Sequence, residues 1–436
     1  MMALQTLVDS QMEAARLTDI PERNFRQLQE LTRPKVTFLG HIAYEGAQIP
    51  AFTGESGNFD PLHPELCRGG TRMSNGFKSL EDAAELVGEL SGEMRAKRNS
   101  PDGGRKGLIV AEGAQYDLEQ RKEIMARYAE LMHKNGFAGP FKHIVSADMS
   151  TAGLSDAYVE RFHKLDEDEP LWRAAAAAKS PNYGGLRMRG PITGEGLTAA
   201  LVEAMHDKGE DAARLTFMGF GQVAAWAARY AKTQQETDLS IMGITDVDGM
   251  VTTRDRRGLP ITAEMVQQIG DNPSFMGRKM AALHDALHRN GFRADFAPDN
   301  TGIFFVPTDY FVPAAGGDVI DLAVAKKLAA ERGVIEGANG ATSPAAHKYM
   351  VKKGLMVLPD ILANRQGVNT SEVEWALNIG GEAPDEKAIR GAALEDSREQ
   401  VREAFDVAKR LGTYDIRIAT SAIHLQCLMG HTGLAA

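Results

Sequence analysis

The chain has little cysteine: only Cys67 and Cys427, and its eleven histidines show no paired metal spacing. Two isolated cysteines build neither a disulfide framework nor a zinc site, and they fit a reducing cytoplasm. Basic charge is in deficit, with 49 Lys and Arg against 59 Asp and Glu, a net charge of −10. That balance favours solubility and argues against a nucleic-acid footprint. No apolar run approaches the ~18 residues of a membrane helix. The first residues, "MMALQTLVDSQMEAARL", lack the continuous apolar core of a secretory leader and read as a surface helix. Internal repeats are absent too.

What is present is an ordinary globular composition, 43% hydrophobic and 25% charged, over 436 residues. That length exceeds one compact core, so two domains are expected. "SLEDAAELVGELSGEMRAK" (79–97) has helical apolar spacing, with Ser79 as N-cap and Asp82 three residues on. The helix should end near Asn99, ahead of Pro101. The strand "GLIVAE" follows, then a helix in "DLEQRKEIMARYAELMHKNG", capped by Asp117 and ended by Gly136. "KLDEDEPLWRAAAAAKSP" reads as a connector helix, its acids at the positive end and Lys179 at the other. The acidic run is a solvated helix start; the alternative is a cation site. After Pro181 the texture turns glycine-rich and basic, which puts a domain boundary near residue 185.

"RLTFMGFGQVAAWAARYAK" offers a short strand, then Gly219-Phe220-Gly221-Gln222-Val223-Ala224, then a helix. The strand "LSIMGITD" ends at Asp246, 25 residues after Gly221. The first glycine permits a tight turn and the second lets backbone approach a pyrophosphate at the helix N-terminus. Asp246 would bind a ribose 2′-hydroxyl and repel a 2′-phosphate, which favours NAD over NADP without excluding NADP. Thr245 or Arg254–Arg257 could still admit the phosphate. The alternative is a plain βαβ turn with no nucleotide. Further units in "GIFFVPTDYFVPAAGG" and "GVIEGANGATSPAAHKYMVKKGLMVLPDILAN" point to a mostly parallel sheet with helices on both sides.

The stretch "SPDGGRKGLIV" puts Lys106 on a glycine-rich turn entering a strand. Burying an ammonium is costly unless its pKa falls. Lys97 ends the preceding helix, and two neighbouring ammoniums would depress each other's pKa, making one a usable acid or base. Asp148, in "HIVSADMSTAG", follows an apolar stretch as a strand-end acid does. Taken singly, each of these residues reads better as a solvated surface charge.

Their order carries more. "CRGGTRMSN" (67–75), "MRAKRNSPDGGRKGLIV" (94–110), "SADMSTAG", "GGLRMRGPITGEG" (184–196), "MGFGQVA", "EGANGATSPAA" (336–346) and "LPDILANRQGVNTSEVEW" (358–375) resemble, in sequence order, the motifs of the glutamate/leucine/phenylalanine/valine dehydrogenase family. The resemblance implies an α/β fold of two domains with a cleft between them. Residues 1–185 would bind substrate and oligomerise, and 186–389 would form a Rossmann-like NAD domain. The helices from about 390 to 436 would return to the first domain. It implies that Lys106 activates water, that Asp148 moves protons on the amino group and that Lys97 binds the α-carboxylate. Gly69, Gly70, Asn364 and Ser371 would lie at the substrate. Arg189, Thr193 and Asn339 would contact the cofactor, with Gly219, Phe220, Gly221, Gln222, Val223 and Asp246 at its pyrophosphate and ribose. The implied reaction is oxidative deamination of an L-amino acid to a 2-oxo acid and ammonia, or its reverse, in a homo-oligomer, hexamer or octamer. No metal, nucleic-acid partner or membrane is implied.

Three departures stand out. Arg105 replaces a small residue, which would put an extra cation near Lys106. Gln366 replaces a glycine, which could reshape the pocket wall. Arg68 stands where family members acting on glutamate have lysine and those acting on branched aliphatic substrates have an apolar residue. A guanidinium suits a carboxylate, so with Ser371 it favours an acidic substrate such as glutamate; the alternative is a salt bridge within the protein. The rival readings are a relative with altered specificity and a non-catalytic nucleotide- or amino-acid-binding regulator. A 2-hydroxy-acid dehydrogenase would want a histidine acid/base, and none is found. His143 and His347 read as structural or exposed, Met188 and Met242 as packing, and Cys67 as no nucleophile.

Overall fold

The computed structural model describes residues 2–97, 100–270, 272, 275 and 277–434. Two sheets organise them. The first has five strands: β1 (Lys35–Tyr44), β2 (Ala47–Ser56), β3 (Cys67–Ser74), β4 (Gly103–Val110) and β5 (His143–Ala147), in the order β1-β2-β4-β3-β5. Glu45 and Gly46, both at positive φ, turn β1 back onto β2 as an antiparallel hairpin. β2 pairs antiparallel with β4, while β3 runs parallel to both β4 and β5.

Helices cover both faces of this sheet. Helix α1 spans Met2–Leu17 and α2 spans Glu22–Leu31. Helix α3 (Leu80–Ala96) packs Ala83 and Val87 on Phe52 and Leu108. Its N-cap is Ser79, whose hydroxyl accepts from the Asp82 amide, as the sequence predicts. Its last residue is Ala96, and the expected end near Asn99 lies outside the described residues. On the opposite face, α4 (Leu118–Lys134) and α5 (Ser155–Leu165) bury Ile124, Tyr128, Met132, Tyr158 and Phe162 against Ile109 and Val145. Asp117 caps α4 in a reciprocal arrangement with Gln120. Successive residues of β4 therefore face different partners: Lys106 and Leu108 turn toward α3, Arg105 and Ile109 toward α4.

The second sheet has seven strands in the order β12-β11-β10-β6-β7-β8-β9. These are β6 (Ala212–Met218), β7 (Asp238–Asp246), β8 (Gly249–Thr252), β9 (Asp295–Ala297), β10 (Thr308–Pro313), β11 (Ala330–Ile335) and β12 (Met356–Leu358). β6, β7, β10, β11 and β12 are parallel, and β8 and β9 add an antiparallel edge. Helix α6 (Ile192–Asp207) enters this unit, and α7 (Gln222–Ala231) follows β6 directly. The strand, turn and helix read from the sequence here are those observed.

Two readings need correction. The expected connector helix over "KLDEDEPLWRAAAAAKSP" is a single 3-10 turn, Trp172–Ala175. Ala176 is extended and bridges Val145 of β5, and Lys179 is buried in an ion pair with Glu374 at 2.7 Å. Tertiary pairing thus overrides the helical propensity of the alanine run. The C-terminal return is also narrower than expected. Helix Glu386–Leu411 packs on α6, in the second unit, and only the last helix, Ile416–Thr432, packs on α1.

Candidate active site

The two sheets face each other across a cleft of about 610 Å³. Its first wall starts at Gly69 and Gly70 of β3. A Cβ on Gly69 would fall 1.8 Å from the Arg105 carbonyl oxygen, and one on Gly70 would fall 2.8 Å from Asp148 Cβ. Only glycine lets β3 pack this closely beside β4 and the end of β5. Lys106, on β4, is buried with its Nζ 2.5 Å from Asp148 Oδ2. Asp148 also accepts from Arg72 Nε at 3.2 Å. The Thr151 hydroxyl accepts from the Asp148 amide at 2.9 Å and donates to the Thr71 carbonyl at 2.6 Å, fixing the loop.

Burial lowers the Lys106 ammonium below the ordinary lysine range, and Arg72 lowers it further, against the raising pull of Asp148. For Asp148 burial works toward a higher pKa, but Lys106, Arg72 and a backbone donor outweigh it and hold the carboxyl well below its usual value. Glu93, one helical turn before Lys97 on α3, lines the same cleft. Burial, with Asp360 nearby, pushes its carboxyl up to about 7, despite Lys97, Lys106 and Arg72. Its Oε2 has no hydrogen-bond partner among the described residues.

The second wall belongs to the later sheet. Gly219 has φ +103°, and a Cβ there would lie 3.0 Å from the Ala314 carbonyl oxygen. Gly221 precedes α7 with open space before it and no side-chain cap on the helix. Gly221, Gln222 and Val223 line the cleft, whereas Phe220 is buried behind them. An uncapped helix N-terminus behind a side-chain-free turn fits a pyrophosphate, so these residues could hold a dinucleotide. Asn339 and Asn364 reach the first wall: Lys97 Nζ donates to their Oδ1 atoms at 2.6 and 2.8 Å. Arg189 Nε donates to Ser371 Oγ at 2.8 Å, and Ser371 Oγ donates to the Gly367 carbonyl at 2.8 Å. Thr193 also lines the cleft.

The pattern described as Glutamate/Leucine/Phenylalanine/Valine dehydrogenase matches residues 184–429. The chain belongs to this family. It is 29% identical over 292 residues to the NADP-specific glutamate dehydrogenase of Saccharolobus shibatae, covering 66% of this chain and 63% of that protein. It is 28% identical over 382 residues to glutamate dehydrogenase B of Halobacterium salinarum, covering 86% and 82%. Among solved structures, the hetero-hexameric glutamate dehydrogenase of Thermus thermophilus matches with TM-score 0.79 at 20% identity, over 99% of this chain and 96% of that one. The Peptoniphilus asaccharolyticus glutamate dehydrogenase matches with TM-score 0.72 at 21% identity, over 98% of each chain. The fold is the one those enzymes have.

Against this family frame, several residues sit differently from expectation. Arg105 is no neighbour of the Lys106 ammonium. It points to the other face of β4, where it donates to the Gly69 carbonyl, Thr71 Oγ1 and Tyr128 Oη at 2.9, 2.8 and 2.7 Å. The cation that depresses Lys106 is Arg72, not Lys97, which is held by the two asparagines. Gln366 is buried away from the cleft, its Nε2 donating to Asp396 at 2.6 Å. Asp246 ends β7 and accepts from the backbone amides of Phe220 and Val247 at 3.2 and 2.7 Å. Lys279 Nζ stands 3.9 Å from it, so a cation adjoins the expected ribose acid. Thr245 is committed to the Gly249 carbonyl at 2.6 Å, and Arg257 to Asp255 at 2.8 Å. Arg68 lines the cleft in ion pairs with Asp102 at 2.7 Å and Glu372 at 2.9 Å. Arg72 stands in the motif "CRGGTRMSN" as the arginine after the glycine pair but had no role assigned, and Glu93 was not singled out. Arg72 was readable as the charged residue two after the glycine pair; Glu93 had no signal beyond a charge on an amphipathic helix.

Proposed function

We propose that this chain is an NAD(P)-dependent L-amino-acid dehydrogenase that converts an amino acid, glutamate first among the candidates, to a 2-oxo acid and ammonia, or the reverse. One observation carries this reading: the buried Lys106–Asp148 pair at 2.5 Å opens on the same cleft as the glycine turn before α7. The substrate unit is 1–185 and the dinucleotide unit 186–389.

The bound nicotinamide supplies a hydride acceptor. In the deaminating direction Lys97, with Asn364, orients the substrate α-carboxylate. Asp148, ionised at neutral pH, takes a proton from the α-ammonium so that the Cα hydrogen can leave as hydride, giving an iminium. Lys106 in its neutral form removes a proton from the attacking water, and the carbinolamine forms. Asp148 returns a proton to the nitrogen, and ammonia leaves as the hydroxyl proton passes to the Asp148 carboxylate and the 2-oxo acid forms. Closure of the cleft, with Lys97 on one wall bound to asparagines of the other, excludes water and aligns the reacting atoms.

We also infer a homo-oligomer in the cytoplasm. Neither cysteine is in a disulfide, and no helix among the described residues is long and apolar enough to cross a membrane.

The test is the NADH absorbance band, followed with 2-oxo acids and ammonium, and with amino acids and NAD or NADP. Ammonia-dependent oxidation of NADH or NADPH that falls about 10²–10⁴-fold in Lys106→Ala supports the reading. Dinucleotide binding with no turnover across the panel would leave the regulator reading in its place.

A further inference from the structure

We propose that Glu372 is a specificity-determining residue: it places an internal carboxylate on Arg68 where the side-chain carboxylate of an acidic substrate would bind. An acidic substrate must therefore displace Glu372, whereas an uncharged side chain need not. This rests on the amino-acid dehydrogenase reading.

The Arg68 guanidinium is held from several sides. Asp102 grips it as a fork, with Arg68 Nε donating to Oδ2 at 2.8 Å and Nη2 to Oδ1 at 2.7 Å. Both side chains are nearly inaccessible to solvent. The plane of Trp375 lies against the group, 4.8 Å from ring centroid to Arg68 Cζ. Arg68 is thus fixed in orientation, and Asp102 already matches its charge. Glu372 is a second carboxylate, 2.9 Å from Nη2, and its side chain keeps 32% of its exposure. Of the two acids it is the one water can receive on release, so it is the exchangeable partner.

Its place on the chain ties this contact to the substrate. Glu372 follows Ser371, which lines the cleft and accepts from Arg189. Arg68 precedes Gly69 and Gly70, which form the cleft wall beside Asp148. The exchange therefore happens at the side-chain end of the proposed substrate position. With Glu372 in place Arg68 faces two carboxylates and the cluster is net negative, which disfavours a substrate carboxylate and suits an uncharged polar or short aliphatic side chain. With Glu372 displaced this end presents a donor for a carboxylate.

The experiment measures binding of 2-oxoglutarate and of uncharged 2-oxopentanoate, of equal chain length, to the dinucleotide-loaded protein by calorimetry. The expected result is that Glu372→Gln lowers the ratio Kd(2-oxoglutarate)/Kd(2-oxopentanoate) about tenfold or more, the scale of one charge-assisted hydrogen bond. Glu372→Asp should keep a ratio near that of the native chain. The double change Arg68→Met, Glu372→Gln should lose the gain. An unchanged or higher ratio in Glu372→Gln, or a gain that survives without Arg68, overturns the proposal. Failure of every 2-oxo acid to turn over would instead sink the dehydrogenase reading, while the binding ratio still decides the role of Glu372.

Discussion

In the proposed reaction Lys106 is the residue on which the chemistry turns, and its surroundings set a sign that can be measured. Water activation needs the neutral amine, so activity should rise with pH through the Lys106 pKa. Burial and Arg72 lower that pKa, while Asp148 and Glu93 raise it. The midpoint of the rising limb of kcat/KM should therefore lie below the ordinary lysine value. Arg72→Gln should move it upward, because a lowering charge is gone. Glu93→Gln should move it downward, because a raising charge is gone. Shifts in the same direction for both variants would remove Lys106 as the group being titrated. The sequence singles out Lys106, Asp148 and the glycine turn through the ordered motifs that carry the family resemblance; the local pattern of glycines and strand ends around each is weak alone. The ion partners of Arg68 were not legible, because Asp102 and Glu372 reach it from distant parts of the chain. The face of Arg105 was equally hidden: a strand alternates its side chains, and β4 has to be placed between two helices before either face has a meaning.

At the scale of elements, helices with caps were the readable part. α3 and α4 follow their apolar spacing, and Ser79 and Asp117 cap them. The β1–β2 hairpin went unread, because its strands mix exposed and buried positions without strict alternation. The alanine run before Lys179 misled in the opposite sense, and the cause is Glu374. On the helix Gln366–Gly380, its carboxylate accepts from the backbone amides of Ala178, Lys179 and Leu186 and pairs with Lys179, both side chains fully buried. One acid thereby holds the link between the sheets out of a continuous helix. Lys179→Met leaves that carboxylate buried without its cation and should cost about 3–5 kcal/mol of stability. Lys179→Met with Glu374→Gln should recover part of the loss, since a neutral amide is cheaper to bury. Denaturant unfolding of the two variants measures this, and a single variant as stable as the double would show that the ion pair does not hold the link.

Across the whole molecule, two features compete for surface: a cleft that opens and closes in the proposed reaction, and a sheet edge with no further strand beside it among the described residues. The cleft is tied by Lys97, which crosses from α3 to Asn339 and Asn364. The edge is β1, ten residues long, and among the described residues its only strand neighbour is β2. Phe38 on this strand is 44% exposed, although it packs its ring 5.1 Å from Phe52. A long edge carrying an exposed aromatic is a template for another strand unless something covers it. A second copy of β1, related by a two-fold axis, would satisfy the edge and bury both Phe38 rings. It would join two five-stranded sheets far from the cleft, leaving each cleft free to move. The mass in solution should then exceed the 47.3 kDa of one chain by a whole multiple. Phe38→Lys, which puts charge on the edge, should lower that mass in light scattering while near-ultraviolet circular dichroism stays native. An unchanged assembly in Phe38→Lys would move the contact to another surface, and a monomeric native chain would mean that β1 tolerates its open edge.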